Sequence, residues 1–386
     1  MDELPGLLVL SDGKVFQGKS IGAEGISVGE LVFNTSMTGY QEILTDPSYA
    51  RQIVSLTYPH IGNTGVNRID CESDKVWASG LIVYDAPRKH SNWRADKSLR
   101  EFLREQNIVA IEGVDTRSLT KCIREKGSMS ACLMAGKVDV DEGMSLVRNF
   151  SGIVHQDLAS IVSTKHPYAW MEGTWKWGEG YRKFKEKELS YHVVVLDFGA
   201  KRSLLRSLAD RSCRLTVLPC NVPFKEILAL KPDGIFLSNG PGDPLACEMA
   251  IKNIRLLLKE NIPIFGVCLG YQLLALACGA KRIKMKFGHH GANHPVEDLS
   301  TGKVSISSQN HGFSIDLKTL PESLKPTHVS LFDQTLQGVK HRTSPAFGFQ
   351  GHPEASPGPH DLSDLFDLFV DSLAKYKEKL CQKEAI

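Results

Sequence analysis

The sequence lacks an excess of charge of either sign. Its 46 lysines and arginines stand against 44 aspartates and glutamates, so the formal net charge is only +2. A protein dedicated to binding nucleic acid needs a strongly basic surface, and this composition offers little for one. With 42% hydrophobic and 23% charged residues, the chain has the composition of a soluble globular protein. We therefore expect no nucleic-acid partner.

Paired cysteines are also absent. The chain has nine cysteines, an odd number, and no two stand in a C-x-x-C arrangement. Their positions are Cys71, Cys122, Cys132, Cys213, Cys220, Cys247, Cys268, Cys278 and Cys381. This usage predicts reduced thiols in the cytoplasm, and it argues against a disulfide framework or a zinc ribbon. The first five residues, MDELP, are acidic and the apolar run at residues 7–10 is short, so we expect no secretory signal.

No apolar run is long enough to cross a membrane without interruption. The most apolar region, residues 262–280, contains Pro263, Gly266, Gly270 and Gln272. Such interruptions predict a strand, a turn and a helix rather than a membrane span. We therefore expect no membrane partner.

Two kinds of ligand-binding motif are missing as well. The chain has no G-x-x-x-x-G-K-[ST] loop, so we expect any nucleotide chemistry to take place in another protein. The histidine-rich stretch GHHGANH at residues 288–294 has no cysteine or carboxylate at metal-ligand spacing. We expect neither a metal nor a cofactor in this chain.

The residues that are present fall into regions with different patterns. A length of 386 residues is enough for two or three domains. Residues 1–165 are rich in strand-forming runs, with an S-D-G-K hairpin signal at residues 11–14 and a helix predicted between Asp115 and Gly127. Residues 166–190 lose this periodicity, and we interpret them as a connection between domains.

From residue 191 onward, short β-branched runs alternate with helical segments. This alternation predicts an α/β fold over residues 191–386, with a doubly wound, mainly parallel sheet covered by helices on both faces. Strands are predicted at residues 192–196, 215–218, 234–237 and 264–267, and helices at 202–211, 224–230, near 249–260 and from around 271. Sheets of this kind place their sites at the carboxyl ends of the strands.

The pentapeptide GVCLG at residues 266–270 has a glycine-x-nucleophile-x-glycine form, directly after one of these strands. Its two glycines remove the Cβ atoms that would clash in a sharp turn from strand to helix. Cys268 would also lie at a helix N-terminus, where a thiolate is stabilised. The alternative is a buried cysteine that only packs in the core. We predict that Cys268 is a nucleophile.

A base for Cys268 is offered by the turn GHPE at residues 351–354. Its proline stiffens the turn, so the His352 imidazole and the Glu354 carboxylate can be held in a fixed relation. By itself the motif also fits a surface turn without function. A third segment, SNGPGDP at residues 238–244, exposes backbone N–H groups suited to an oxyanion hole, with an ordinary turn as the alternative.

These segments, together with QNHGF at residues 309–313, resemble in order and spacing the class I, or triad, glutamine amidotransferases. The likeness is closer to one branch of them, the small glutaminase subunits of carbamoyl phosphate synthases, and it runs along essentially the whole chain. Two segments carry that closer resemblance, FNTSMTGYQEILTDPSY at residues 33–49 and MKFGHHG at residues 285–291. Tyr271 is a departure, because many relatives carry histidine at that position.

The resemblance implies roles for the residues of these motifs. Cys268 would attack the side-chain amide of glutamine, His352 would accept and return the proton, and Glu354 would orient His352. The backbone N–H groups of Gly240 and Leu269 would hold the oxyanion. The positions that match substrate-binding residues of the family are Ser48, Gly240, Gly242, Leu269, Gln272, Asn310, Gly312 and Phe313.

The resemblance also implies an arrangement of domains and a partner. Residues 1–165 would form a small-subunit domain that docks on the partner, and residues 191–386 a flavodoxin-like glutaminase domain. Because Ser48 belongs to the first of these, the glutamine pocket is expected at a domain interface. The partner would be a large ATP-dependent synthetase subunit, which receives ammonia through a tunnel and uses ATP, magnesium and bicarbonate to make carbamoyl phosphate for pyrimidine and arginine synthesis.

Three other functions stay open at this point. One is a catalytically weak subunit that only docks and regulates. Another is the glutaminase of a different pathway, such as anthranilate or GMP synthesis, which would not need the first ~190 residues. The last is a cysteine peptidase on a similar α/β fold.

Overall fold

The computed structural model describes residues 4–384 and divides them into two units. The first comprises the described residues up to Val154 together with Met285–Ala292, and the second comprises His155–Lys284 together with the described residues from Asn293 onward. The start of the acidic N-terminal segment, residues 1–3, lies outside the described residues. Over the described part of the chain, no helix combines the length and the apolar character that crossing a membrane requires.

The first unit is built around a closed β-barrel. Its elements are β1 (Pro5–Leu10), β2 (Val15–Ser20), β3 (Gly25–Asn34), α1 (Tyr40–Thr45), a 3-10 helix (Pro47–Tyr49), β4 (Gln52–Leu56), β5 (Gly80–Ile82), α2 (Leu99–Glu105), β6 (Val109–Glu112), α3 (Thr116–Lys126), β7 (Met129–Ala135) and α4 (Val140–Asn149). The strands follow each other around the barrel in the order β1-β2-β6-β5-β4-β3-β7, with parallel pairing from β3 through β6. The prediction of a β-rich N-terminal domain is confirmed, and its barrel contains both parallel and antiparallel pairs.

Two local predictions in this unit are confirmed in detail. The hairpin between β1 and β2 closes through a hydrogen bond from the Leu10 N–H to the Lys14 carbonyl, with Gly13 at a positive φ of 88° that suits glycine. Helix α3 begins after Asp115, whose side chain accepts the Ser118 N–H, and it ends at Gly127. The apolar side of this helix is buried, with Leu119, Cys122 and Ile123 among its buried side chains.

The second unit holds the longer list of elements. They are α5 (Ala159–Val162), β8 (Tyr168–Trp170), β9 (Glu172–Lys176), β10 (Gly180–Lys183), β11 (Tyr191–Asp197), α6 (Arg202–Ala209), β12 (Cys213–Pro219), α7 (Phe224–Ala229), β13 (Gly234–Leu237), α8 (Glu248–Leu257), β14 (Ile264–Val267), α9 (Leu269–Ala277), β15 (Arg282–Asp298), β16 (Val304–Ile315), β17 (Leu324–Ser330), β18 (Leu336–His341), β19 (Ala346–Phe349) and α10 (Asp364–Glu384). Short 3-10 helices lie at Glu186–Glu188, Pro244–Ala246, Leu258–Glu260 and Leu317–Thr319.

Five of these strands form a parallel sheet in the order β12-β11-β13-β14-β19. This is the 2-1-3-4-5 order of flavodoxin-like folds, so the predicted fold class is confirmed. Antiparallel strands continue the sheet at both edges, β8 beside β12 and β18 beside β19. Along β11 the side chains alternate between two buried layers, with Val194 packed among residues of α8 and α9 and Val195 among residues of α6 and α10.

The predicted connection at residues 166–190 contains three strands and belongs to the second unit, which begins at His155. Strand β8 pairs with β12, opposite Leu215–Val217. The Arg206 side chain on α6 stacks on Tyr181 at 3.7 Å and pairs with Glu172 at 2.9 Å. These contacts make the tryptophan-rich segment an edge of the second unit.

Candidate active site

The candidate site lies where four neighbouring parallel strands end. The strands β11, β13, β14 and β19 are adjacent in the sheet, and each is followed by a segment that supplies a polar or glycine residue to the same edge. The carboxyl edge of a parallel sheet collects such loops because all of its strands point the same way.

Cys268 sits in a strained turn between β14 and α9. Its φ of 53° and ψ of −107° lie outside the regions that non-glycine residues ordinarily adopt. A Cβ on Gly266 would come within 2.6 Å of the Gly270 carbonyl oxygen, and a Cβ on Gly270 would lie 2.6 Å from the Leu237 carbonyl carbon. Both positions of the motif therefore need glycine for the turn to form.

The Cys268 side chain is held close to β16 and to the end of β19. Its backbone N–H donates to the Phe349 carbonyl at 2.9 Å, and its thiol donates to the Asn310 carbonyl at 3.6 Å. The residue is only 2% exposed.

His352 and Glu354 form a buried pair after β19. The Nδ1 of His352 lies 2.7 Å from Oε1 of Glu354, and the His352 N–H is fixed by the Ser308 carbonyl at 2.8 Å. Among the described residues, no hydrogen-bond partner lies within reach of the buried Nε2 of His352. The Cys268 thiol is nevertheless near enough to contribute to the raised pKa of His352. The structure therefore brings the three motif side chains together, with Nε2 as the imidazole atom left for chemistry.

Lys201 is a member of this cluster that the sequence analysis did not identify. Its Nζ donates to Oε1 of Glu354 at 2.8 Å and to the Ala355 carbonyl at 2.7 Å, and its side chain is 3% exposed. Its backbone N–H donates to Asn239. Lys201 lies four residues after the carboxyl end of β11, at Asp197, and no motif around it in the sequence indicates this role.

Charge effects in this cluster oppose the effects of burial, although Lys201 also acts to lower the pKa of His352. Burial alone would lower the pKa of His352, but the Glu354 carboxylate and then the Cys268 thiol outweigh it, and the pKa lies well above its usual 6.5. Burial would likewise raise the pKa of Glu354, but Lys201 and His352 hold that pKa well below 4.5. Glu354 therefore stabilises the protonated form of His352, which gives the imidazole a high affinity for a proton.

The loop after β13 places its glycines beside the start of α9. The Ser238 carbonyl accepts the Gly270 N–H at 3.0 Å. A Cβ on Gly240 would collide with the Phe198 carbonyl and lie 2.9 Å from a methyl group of Leu269, so Gly240 is adjacent to the first residue of α9. The first N–H groups of a helix have no acceptor within it. Gly240 and Leu269 are therefore neighbours, and their role in an oxyanion hole stays a prediction.

The far end of the same loop is anchored by an ion pair. Asp243 is fully buried and accepts two hydrogen bonds from Arg282, at 3.0 and 2.6 Å. Burial would raise its pKa, but Arg282 and the His155 N–H outweigh that effect and lower it. Gly242, directly before Asp243 in the loop, has a φ of 89°, a value that favours glycine. The loop is therefore rigid on both sides of Gly240.

Three of the other predicted substrate-binding residues lie on β16, near Cys268. Asn310 contacts the thiol, Gly312 is half-buried, and the Phe313 carbonyl accepts a hydrogen bond from Gln272 on α9 at 2.9 Å. Gln272 also donates to Gln350 at 3.0 Å, which ties α9 to the segment that carries His352. Asn310 is thus linked to Cys268, and Gln272 links Phe313 to the segment before His352, while the substrate-binding role of these residues stays a prediction.

Ser48 lies in the first unit, in the 3-10 helix Pro47–Tyr49, where it is buried and its N–H is bound by Asp46. Its predicted place in the glutamine pocket stays a prediction. The two segments that carry the closer resemblance meet in this unit: the Thr35 N–H donates to the His290 carbonyl at 3.2 Å, and the rings of Phe33 and Phe287 are 5.9 Å apart.

Tyr271 is a buried side chain. Its ring is fully buried, its hydroxyl donates to the Leu336 carbonyl at 3.4 Å, and its Cβ lies against Gly348. Burial raises its pKa above the usual value for tyrosine. In the part of the chain that the structure describes, no group of three or more metal-ligating side chains could hold an ion.

Comparison with known proteins gives two family matches. The family described as "Carbamoyl-phosphate synthase small chain, CPSase domain" matches residues 8–133, and the family "Glutamine amidotransferase class-I" matches residues 194–372.

Curated relatives match over nearly the full length. The carbamoyl phosphate synthase small chain of Vibrio cholerae is 59% identical, covering 96% of this chain and 98% of the relative. Those of Photorhabdus laumondii and Pseudomonas syringae are 57% and 55% identical, covering 98% and 96% of this chain and 97% and 99% of the relatives.

Proposed function

This chain belongs to the family of carbamoyl phosphate synthase small chains, and from that premise we propose that it is a glutaminase that works through Cys268, His352 and Glu354. It hydrolyses glutamine to glutamate and ammonia. The observation that carries the proposal is the buried cluster at the carboxyl edge of the sheet, in which Glu354 lies 2.7 Å from Nδ1 of His352.

The reaction begins with a proton transfer from the thiol of Cys268 to Nε2 of His352. The high proton affinity of the imidazole favours this transfer, because Glu354 stabilises the imidazolium. The sulfur then forms a bond with the side-chain amide carbon of glutamine. The amide oxygen takes the electron pair and becomes an oxyanion.

The oxyanion is stabilised by the backbone N–H groups of Gly240 and Leu269. Their donors are fixed in advance, since Gly240 packs against the start of α9 and the loop is anchored through Ser238 and Asp243. His352 returns the proton to the departing nitrogen, and ammonia leaves. The same imidazole then activates a water molecule, which cleaves the glutamyl thioester and releases glutamate.

Ammonia passes to a large ATP-dependent synthetase subunit, which uses ATP, magnesium and bicarbonate to make carbamoyl phosphate. Because the large subunit uses ATP, magnesium and bicarbonate, this chain needs no cofactor of its own. The lack of a phosphate-binding loop in its sequence supports this division of roles. The barrel unit docks on that partner. Ser48, Gly242, Gln272, Asn310, Gly312 and Phe313 bind the glutamine substrate.

The other functions receive less support from this site. A subunit that only docks has no need for the strained turn at Cys268 or for a buried charge cluster around Glu354. A glutaminase of another pathway or a peptidase does not account for the match of residues 8–133 to a small-chain family.

The test is Cys268→Ala in the complex with the large subunit. We expect glutamine-dependent synthesis of carbamoyl phosphate to fall by roughly 1,000-fold or more, because the nucleophile is lost, while ammonia-dependent synthesis stays within about twofold. Cys278→Ala, at the other end of α9, is the matched control and should leave both rates unchanged. Near-normal use of glutamine by Cys268→Ala would refute the assignment.

A further inference from the structure

A groove lies on the second unit, away from the candidate active site. It consists of two adjoining cavities, one of 290 Å³ and one of 920 Å³. Four residues line both cavities, so the two form one continuous surface; they are Lys340, Pro345, Ser372 and Lys375. The larger cavity is bordered by residues 341–345, just before β19, and by Glu260 and Asn261, just before β14. It is therefore at the amino edge of the parallel sheet, whereas Cys268 lies at the carboxyl edge.

One stripe of helix α10 forms a wall along the whole groove. Its members are Leu365, Leu368, Ser372, Lys375 and Lys379. Their spacing of three and four residues puts them on one face of the helix. The neighbouring face, with Phe366, Phe369 and Leu373, is buried in the core, and Leu365 at the start of the stripe belongs to that core as well.

The stripe changes character along its length. At the smaller cavity its first two members are apolar, and Leu368 is 54% exposed beside Phe347, while Asp371 of the same helix also lines that cavity. At the larger cavity it is basic, with Lys375 and Lys379 facing Lys340 and Arg342 across the space. Glu260 is the one carboxylate that lines this larger cavity. The groove thus joins an apolar end to a strongly positive end.

The lysines of the groove have no partners within the described chain. The structure gives Lys340, Lys375 and Lys379 no ion pair with any residue that it describes, although Lys377 on the same helix lies 3.9 Å from Asp233. Like charges at helical spacing of four residues repel. The helix dipole favours cations near the end of α10, but it does not account for Lys340 and Arg342.

The opposite wall is held in place. The Nδ1 of His341 accepts the Ser344 N–H at 2.9 Å, and the Ser344 hydroxyl donates to the Leu258 carbonyl at 3.2 Å. Arg342 donates from Nε to the Glu322 carbonyl at 2.7 Å. A preorganised wall lowers the entropy lost when a ligand binds.

We propose that this groove binds an acidic polypeptide segment of a partner protein, with an apolar side chain of that segment in the smaller cavity. The stripe from Leu365 to Lys379 covers about 21 Å of helix axis, which matches roughly six residues of extended chain. That length is greater than the length of a small-molecule ligand. The groove lysines without ion-pair partners attract carboxylates. The apolar end of the groove beside them favours a peptide over a nucleic acid. The proposal does not depend on the glutaminase mechanism.

The probe is a fluorescein-labelled octapeptide of two leucines followed by six alternating aspartates and glutamates, tested in both chain directions by fluorescence anisotropy. We expect saturable binding to the full chain that weakens as salt is raised from about 50 to 200 mM. An octapeptide with asparagine and glutamine in place of the acids should bind at least ~10-fold more weakly.

Variants locate the site. The pair Lys375→Glu and Lys379→Glu should weaken the acidic peptide at least ~10-fold. The pair Lys225→Glu and Lys318→Glu makes the same change in net charge at exposed residues outside both cavities, and it should leave binding within about twofold. Leu368→Ser should weaken the leucine-containing peptide but not an octapeptide made of acids alone. Glutaminase activity should stay unchanged in all of these variants.

Four results would each overturn the proposal. They are no binding below about 1 mM peptide, equal binding of the neutral peptide, equal loss in the control pair, and equally tight binding of an oligothymidylate with six phosphates. Because the glutaminase rate is measured on the same samples, a failure of the groove is distinguished from a failure of the active-site assignment.

Discussion

At Glu354 one carboxylate oxygen contacts two basic side chains. Its Oε1 accepts from Lys201 at 2.8 Å and from His352 at 2.7 Å, and all three side chains are at least 97% buried. A buried carboxylate is costly unless it is paired and hydrogen-bonded, and Lys201 and His352 together supply that pairing. Lys201 therefore acts as a positioning residue, since it fixes the acid that in turn fixes the imidazole.

We expect Lys201→Met to lower the free energy of unfolding by about 3 kcal/mol, because it leaves a buried carboxylate with one partner instead of two. Lys377→Met is the matched control. The Lys377 side chain is 48% exposed and lies 3.9 Å from Asp233, so its loss should cost no more than about 1 kcal/mol. Urea denaturation of both variants at neutral pH measures the difference, and equal losses would contradict the role given to Lys201.

The pH dependence of stability follows from the same pair. The pKa of His352 is raised in the folded chain, so folding takes up a proton, and the stability it contributes is complete below 6.5 and is lost as the pH rises toward the folded pKa. We expect the difference in unfolding free energy between the wild type and His352→Asn to shrink steadily from about pH 6 to about pH 9.

His328 gives the opposite dependence and serves as the control. Burial lowers the pKa of His328, so its contribution is present above 6.5 and is lost as the pH falls below that value. The difference between the wild type and His328→Asn should therefore be flat above 6.5. Urea denaturation across the range decides both cases, and a flat profile for His352→Asn would show that its pKa is not raised.

The residues of the candidate site differ in how far sequence could predict them. Cys268, His352 and Glu354 stand in short motifs whose chemistry depends on neighbours in the chain, so local reasoning reaches them. Lys201 meets Glu354 only after β11 and β19 come to the same sheet edge. A lone lysine after a strand carries no motif, and nothing near it in sequence indicates its partner.

At the level of elements, the best predicted strands are those buried on both faces. The structure has β13 and β14 at the predicted bounds, because each is a short apolar run between turn-forming residues. Helix α9 begins at Leu269 rather than around residue 271, since Cys268 itself is its N-cap. The sequence analysis did not predict strands β8 to β10, because their composition is polar and rich in tryptophan. Strand β8 also pairs with β12, which lies more than forty residues further along the chain.

The tight packing of α9 against β13 leads to a prediction for the turn. We expect Gly270→Ala to lower the unfolding free energy by about 3 kcal/mol, because the added Cβ would meet the backbone of Leu237. A displacement of the nucleophile by about 1 Å should also reduce glutaminase activity on the order of a hundredfold.

Gly279→Ala, just after the other end of α9, is the control for this change. Nothing lies within 4 Å of a Cβ at Gly279, so its cost comes only from the positive φ of 104° and should be about 1 kcal/mol. Activity should be retained in that variant. If both alanine variants keep the wild-type rate, the close contact at Gly270 does not position Cys268.

At the scale of the whole molecule, neither unit is a continuous stretch of chain. Strand β15 begins and ends in the second unit, yet its residues Met285–Ala292 belong to the first. Sequence reasoning divided the chain at single points, because composition and periodicity change gradually along it and do not reveal a strand whose middle packs elsewhere. The segment MKFGHHG was recognised only through a resemblance.

Because Met285–Ala292 belong to the first unit, we expect that the second unit does not fold well when residues 1–154 are removed. In the full chain the Ser128 N–H donates to the Lys286 carbonyl at 2.8 Å, the Thr35 N–H donates to the His290 carbonyl, and Phe287 packs beside Phe33. A fragment of residues 155–386 loses all of these partners and exposes apolar surface. We expect it to bind the dye ANS and to unfold without a sharp thermal transition, and co-expression with residues 1–154 should restore one. A fragment that unfolds sharply at the temperature of the full chain, without ANS binding, would show that the segment Met285–Ala292 needs no partner from the barrel.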